Sequence, residues 1–386
     1  MNERFSVGTR TFHADPNFNY QMNRWMAFGR LPVEAVAQAA SQIRSLADWY
    51  REFSAMARTA AERGDLLQEA CCLRAVEFFM PAADPDKRVL YDRLTNLFRR
   101  VHADCFASGA LRELQVPFEG VTLPVWYAAP PQGVLVRGII LMTGGFDCYK
   151  EELVPVFLSF AEEGYQFYYF EGPGQGEVLM KQHRAMTHEW EKPVRTVLDV
   201  LGLENVTLIG LSLGGYLAPR AAIGEPRIRR VISWGTMHDF FNVVSTRKGW
   251  ATALFIRTTA ALRLAPVMNG LLALKMRRDA YTAWGISHGM HVMGQSSPYA
   301  YFRALRCYSM KRIAGKVEQD FLLMTGSKDH FVDDIMFGRM LRALTGVRSL
   351  TGRVFTEREQ AENHCQFGNL PLAIRTMTGW IDSMEA

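Results

Sequence analysis

Val206-Thr207-Leu208-Ile209-Gly210-Leu211-Ser212-Leu213-Gly214-Gly215 is the stretch on which the reading of the whole chain turns. An apolar run of strand-forming residues ends in G-x-S-x-G, and Leu213–Ile223 then takes up helical spacing. Attack on a carbonyl carbon needs a serine oxygen projected from a sharp strand-to-helix turn. Small residues at Gly210 and Gly214 let strand and helix approach closely enough to make that turn. The plainer alternative is a strand-to-helix loop with a capping serine. The apolar strand before the motif and the helix after it favour Ser212 as a nucleophile. Pro219 falls inside the expected helix, where it removes a hydrogen bond, and nothing local accounts for it.

Working outward, strand and helix patterns alternate on both sides of this stretch. Leu114–Phe118 and Val121–Tyr127 flank Glu119-Gly120 and read as a hairpin. Val134–Met142 reads as a buried strand that runs into Thr143-Gly144-Gly145. Glu151–Glu163, Gln166–Phe170, Trp190–Leu201 and Val231–Trp234 continue the alternation, and Phe321–Thr325 and Leu350–Thr356 are the last strands. The pattern predicts an α/β fold, a mostly parallel doubly wound sheet with helices on both faces. Two regions depart from it. Before residue 110 the chain is helical, with Val33, Val36, Ala37, Ala40 and Ile43 on one face and an Asp84-Pro85 helix start. Between Met237 and Ala314 it is rich in Met, Ala and aromatic residues and reads as helices broken at Pro266, Gly285, Gly289 and Ser297-Pro298. The expected division is therefore an N-terminal helical domain (1–110), a first part of the core (111–236), a helical insertion (237–314) and a last part of the core (315–386). The insertion is either a lid or pocket wall over the active end of the sheet, or only extra helical packing.

A serine alone is a weak nucleophile, so an acid and a base should follow it in the order Ser, Asp, His. Asp329, in Leu323-Met324-Thr325-Gly326-Ser327-Lys328-Asp329-His330, lies just beyond the end of an apolar strand and is the acid candidate; Asp333, Asp334 and Asp239 are rivals. His364 lies in a loop between the last strand and the closing helix and is the base candidate. His330 adjoins the acid, while His288 and His291 fall in the insertion. Cys365 has no second base and reads as a packed small side chain.

Catalysis also needs amides aimed at a developing oxyanion. Leu213, after the nucleophile, supplies one, and the loop Thr143-Gly144-Gly145-Phe146 should supply the other from Phe146 or Gly145. Asp147 follows at once. It is either an acid that donates to a leaving group or a ring hydroxyl, or the cap of a helix that begins near Tyr149.

The chain has 386 residues, 48% hydrophobic and 22% charged, and a net charge of +5 with scattered basic residues. That profile fits a globular enzyme with no basic stripe for nucleic acid. No apolar run is long enough to span a membrane, and Ala251–Met276, the most apolar stretch, carries Arg257, Arg263 and Pro266. Met1–Arg10 is polar, carries Glu3 and does not read as a secretory signal. The six cysteines lack disulfide or zinc spacing. A cytoplasmic setting, a small-molecule substrate and no cofactor or metal are expected, with no nucleic-acid or membrane partner; a homodimer is left open. Glycines at 172–176 lack the Gly-Lys-Ser/Thr ending of a phosphate loop.

Four motifs taken together carry a resemblance. They are Gly144-Gly145-Phe146-Asp147-Cys148-Tyr149-Lys150-Glu151-Glu152, the segment Glu171–Gly176, the segment Gly210–Arg220 with Pro219 in it, and Glu362-Asn363-His364-Cys365-Gln366. With Phe18–Arg24, they make the chain similar to α/β-hydrolases typified by 2,6-dihydroxypseudooxynicotine hydrolase and by fungal hydrolases that shorten polyketide pigment precursors. The resemblance implies an α/β-hydrolase core under a helical domain, with substrate between them. It also implies that an acidic residue follows the oxyanion turn; the pyridine-degrading member has Glu where this chain has the shorter Asp147. Members include enzymes that hydrolyse a carbon–carbon bond next to a ketone. The first expectation is such a hydrolase of secondary metabolism, acting through an acyl-enzyme. An esterase, thioesterase or acyl-transferring cyclase with the same triad is the second. A non-catalytic binding protein on this fold is the third.

Overall fold

A computed structural model describes residues 5–246 and 249–384. Glu3, part of the reading of the N-terminus, lies outside them. Six helices open the chain: α1 (Pro16–Gly29), α2 (Val33–Gln42), α3 (Leu46–Glu62), α4 (Leu66–Phe79), α5 (Pro85–Val101) and α6 (Ala103–Ala107). Their boundaries follow from local chemistry. Asp15, Ser45, Asp65 and Asp84 each accept hydrogen bonds from amides of the first turn, and Pro16 and Pro85 occupy first-turn positions where no N–H is needed. Helix α1 is unusual in burying polar residues, Gln21, Asn23 and Arg24 among them.

Eight strands then form one sheet. In chain order they are β1 (Leu111–Phe118), β2 (Val121–Ala128), β3 (Gly138–Thr143), β4 (Tyr165–Phe170), β5 (Val206–Leu211), β6 (Ile228–Trp234), β7 (Asp320–Gly326) and β8 (Ser349–Phe355). Their spatial order is β1-β2-β4-β3-β5-β6-β7-β8. The pairs β1–β2 and β2–β4 are antiparallel, and every later pair is parallel. The β1–β2 hairpin turns at Glu119 and Gly120, both with positive φ, as a tight two-residue hairpin requires. Strand β3 begins later than its apolar run suggested. Its neighbour β4 starts at Tyr165, paired with Gly138, and β5 joins only at Ile139. Val134, Leu135 and Val136 lie beyond both and are exposed.

The crossovers are α7 (Val154–Glu162), α8 (Gly176–Met180), α9 (Glu191–Leu201) and α10 (Gly214–Ala222); after β6 come α11 (Phe240–Thr246), α12 (Trp250–Ala261), α13 (Ala265–Arg278), α14 (Ala280–Val292) and α15 (Pro298–Leu305). Helices α16 (Asp334–Ala343) and α17 (Leu370–Ser383) complete the chain. Gly285 and Gly289 do not break a helix as the sequence suggested; both lie inside α14. A Cβ at Gly289 would sit 2.3 Å from the Tyr301 ring, so the residue is small because α15 packs there. From β3 the chain steps to β4 on one side and then to β5 on the other. That reversal opens a crevice at the carboxyl ends of β3 and β5, where ligands bind in open α/β sheets.

Pro219 finds its explanation in the neighbouring strand. Its missing N–H leaves the Gly215 carbonyl, four residues back, without a helical donor. The Ser233 hydroxyl of β6 donates to that oxygen at 3.2 Å.

Candidate active site

Ser212 stands at the crevice with φ 59, a left-handed conformation that a non-glycine residue holds only when its surroundings enforce it. Its amide donates to the Trp234 carbonyl at 2.9 Å. A Cβ at Gly210 would lie 1.9 Å from the Gly214 carbonyl oxygen, so the helix crosses the strand too closely for any side chain. The result is a serine oxygen held above the sheet.

His364 lies between Ser212 and Asp329. Its Nδ1 is 2.7 Å from Asp329 Oδ2 and its Nε2 is 2.8 Å from Ser212 Oγ. The carboxylate can only accept, so Nδ1–H donates to it and Nε2 is left to accept the serine proton. Asp329 Oδ1 is fixed in turn by the amides of Phe331 and Val332, at 2.9 and 3.1 Å. Both side chains are buried. Burial alone would raise Asp329, but the charge and hydrogen bond of His364 outweigh it and hold the carboxyl below its usual range. Burial would lower His364, and the Asp329 charge overrides that and raises it well above the ordinary imidazole value.

The rival residues are occupied elsewhere. Asp239 accepts from the Asn242 amide and pairs with Lys311, and Asp333 caps α16. His330 packs at a tilt against the rings of Phe331 and Tyr20. His288 lies parallel to Trp284 in the insertion, and its burial lowers it to about 4. Cys365 directs Sγ to the Trp234 carbonyl.

The loop after β3 presses against the serine turn. A Cβ at Gly145 would meet Ser212 Cβ at 2.8 Å and the Leu213 amide nitrogen at 3.0 Å. Gln175, from the glycine-rich segment, fixes this loop: its Nε2 donates to the carbonyls of Gly144 and Gly145 at 2.8 and 3.0 Å. The peptide bonds of the described residues are trans, so the Phe146 N–H points away from Gln175, opposite the Gly145 carbonyl. Leu213 stands just before α10, where the Gly215 and Tyr216 amides turn back to the Ser212 and Leu213 carbonyls, both at 2.9 Å.

Asp147 does not cap the following turn. Glu152 does so, accepting from the Tyr149 amide at 2.7 Å, while the Lys150 amide goes to Glu171. Asp147 instead lines the cavity, about a third exposed, and its Oδ1 accepts from the buried Arg24 guanidinium at 3.4 Å. Arg24 is held by both Glu152 oxygens at 2.9 and 3.0 Å. Arg74 bonds the Asp147 carbonyl and pairs with Glu77 at 2.6 Å. Glu77 in turn pairs with Lys87 at 2.6 Å and accepts from the Tyr149 hydroxyl at 2.9 Å. None of these partners was singled out from the sequence. The available signal was Tyr20 and Arg24, four residues apart on α1 and both lining the cavity.

That cavity, about 190 Å³, is bounded by Ser212 and His364, the α1 face and the insertion. Phe78, Phe146, Phe240, Trp284 and Phe331 are among the aromatic side chains of its wall. A serine, imidazole and carboxylate in hydrogen-bonded series, with free amides beside them, form an arrangement suited to acyl transfer.

The sheet order, the serine turn between β5 and α10 and the helical cover give this chain the α/β-hydrolase fold. No family model matches the sequence. It is 29% identical to Hydrolase acrC of Aspergillus aculeatus over 325 residues, 73% of this chain and 74% of that protein. It is 27% identical to 20-hydroxy-prefusarin hydrolase FUS2 of Gibberella moniliformis over 384 residues, 88% of each chain. In fold it is similar to 2,6-dihydroxy-pseudo-oxynicotine hydrolase, with a TM-score of 0.62 and 16% identity, covering 93% of this chain and 94% of that one.

Proposed function

We propose that the protein is a serine hydrolase that cleaves a carbon–carbon bond next to a ketone, in an aromatic or polyketide-like small molecule. The observation that carries the reading is the His364 bridge between Ser212 and Asp329, opening on a cavity whose other polar end is the Asp147–Arg24 pair. His364 takes the Ser212 proton as Oγ attacks the ketone, and Asp329 stabilises the imidazolium. The amides of Phe146 and Leu213 receive the oxyanion. Collapse of the adduct breaks the bond to carbon, leaves an acyl-enzyme on Ser212 and expels an enolate. Arg24 and Asp147 bracket that leaving group, and the guanidinium stabilises its charge. The proton that His364 took from Ser212 passes to its carbon, directly or by way of Asp147, and His364 returns to its neutral form. Water, activated by His364, then releases the acid.

The second reading is an esterase or thioesterase with the same triad, in which Asp147 only holds Arg24. The ion pair favours that role, because the Asp147 oxygen facing Arg24 is an acceptor. Incubation with a fluorophosphonate tests the shared step. One adduct on Ser212 and loss of turnover in Ser212→Ala are expected; retained turnover in that variant rules out the acyl-enzyme. Product analysis on an aryl β-diketone then separates the readings, since only carbon–carbon hydrolysis yields the acid and the methyl ketone.

A further inference from the structure

The hairpin α12–α13 has two unlike faces. Inward, Ala253, Ile256, Ala260, Met268 and Leu272 are buried, and Ile256 and Leu272 reach the cavity. Outward, Trp250 is 79% exposed, Leu254 57%, Leu262 63% and Leu271 52%. Leu264, Val267, Leu271 and Leu274 follow one another at three- and four-residue steps and make a single apolar stripe. Arg278 continues the stripe one step further. Exposed apolar surface of this extent marks a site of contact rather than ordinary surface.

Charge narrows the choice of occupant. Residues 249–278 include Arg257, Arg263, Arg277 and Arg278, besides Lys275, which lines the cavity, and contain no Asp or Glu. Two copies meeting through this stripe about a two-fold axis would set these cations against one another. An anionic lipid surface neutralises them and accepts the leucines and Trp250 together, as it does for interfacial helices with an apolar face and a basic fringe. No helix among the described residues is long and apolar enough to cross a membrane. The expectation of no membrane partner rested on that criterion, which does not govern a helix lying on the surface.

We propose that the outer face of α12–α13 docks on anionic lipid bilayers, with Trp250 at headgroup depth and the substrate cavity directly behind the hairpin. Docking so placed gives the cavity access to amphiphilic molecules held in the bilayer. The proposal does not depend on the bond that the enzyme cleaves.

The test mixes the full chain with vesicles of phosphatidylcholine alone or with about 30% phosphatidylserine, and follows tryptophan emission and co-sedimentation. Trp250 is the surface reporter: Trp25, Trp49, Trp126, Trp190, Trp234 and Trp380 are buried, and Trp284, partly buried, faces the cavity. A blue shift and at least about tenfold tighter binding to the anionic vesicles are expected, both reversed by about 0.5 M salt. Leu254→Asp with Leu271→Asp, and separately Arg277→Glu with Arg278→Glu, should each weaken binding about tenfold or more at an unchanged melting temperature. Trp250→Phe should remove the shift and keep the sedimentation. Equal binding to both vesicles, or binding indifferent to all four substitutions, overturns the proposal. So does a concentration-dependent dimer in light scattering that Leu254→Asp with Leu271→Asp dissolves, since a second copy then covers the face.

Discussion

The two polar ends of the cavity are built in opposite ways. At one end Ser212, Asp329 and His364 come from three loops at the carboxyl edge of one sheet, and each holds the next by a single hydrogen bond. At the other, Asp147 rests on Arg24, Glu152, Arg74 and Glu77, drawn from α1, α4 and the turn after β3. The first end is a short relay that moves a proton. The second is a buried lattice of charge that keeps one carboxylate in place. Removing a member of the relay should therefore cost rate, and removing a member of the lattice should cost stability first.

The largest effect belongs to the relay. Asp329→Asn should lower kcat about 10⁴-fold, since the amide no longer selects the His364 tautomer. It should also move the pH profile in a defined direction. Turnover needs neutral His364, and Asp329 raises its pKa, so in the wild type kcat/KM falls as pH drops through a value above the ordinary histidine range. Without the carboxylate that fall moves to lower pH. A fall that stays in place would detach the acid limb from this pair.

Arg24→Met sharpens the contrast from the other side. It leaves Glu152 buried without its bidentate partner, and about 3–5 kcal/mol of stability should go, read from chemical denaturation. If Arg24→Met with Glu152→Gln recovers much of that loss, the cost is an uncompensated charge. If nothing is recovered, the arginine acts mainly through its packing on Trp25 and Phe78.

Gln175→Leu bridges the two regions, because Gln175 touches neither the triad nor the lattice yet fixes the loop that carries Phe146. A kcat loss of about 10²-fold with little change in KM is expected. A change in KM alone would assign Gln175 to substrate binding. The smallest effect is that of Pro219→Ala, under about 1 kcal/mol, because the Gly215 carbonyl already has the Ser233 hydroxyl as its donor.

The same contrast explains what the sequence made legible. The relay could be read from local rules: G-x-S-x-G between a strand and a helix, an Asp beyond a strand end, and a His before the closing helix. The lattice could not. Arg24 and Glu152 are 128 residues apart, and no local spacing marks either as a partner of Asp147. For Asp147 a cap and an acid stood open side by side, and the sequence did not reveal that Glu152, three residues beyond Tyr149, takes that amide. The start of β3 was misplaced for a related reason: apolar residues at Val134–Val136 suggest a strand, but a strand ends where its neighbours do. Glycines inside α14 look like breaks until α15 is seen packed against one of them.

The most direct test of the account compares an aryl β-diketone with a matched aryl ester, in wild type and Asp147→Asn. If the charged end handles the carbon leaving group, diketone cleavage in the variant should fall about 10²-fold or more while ester cleavage is nearly unchanged. Equal retention of both activities would contradict the account and leave Asp147 as a support for Arg24 in an ester or thioester hydrolase.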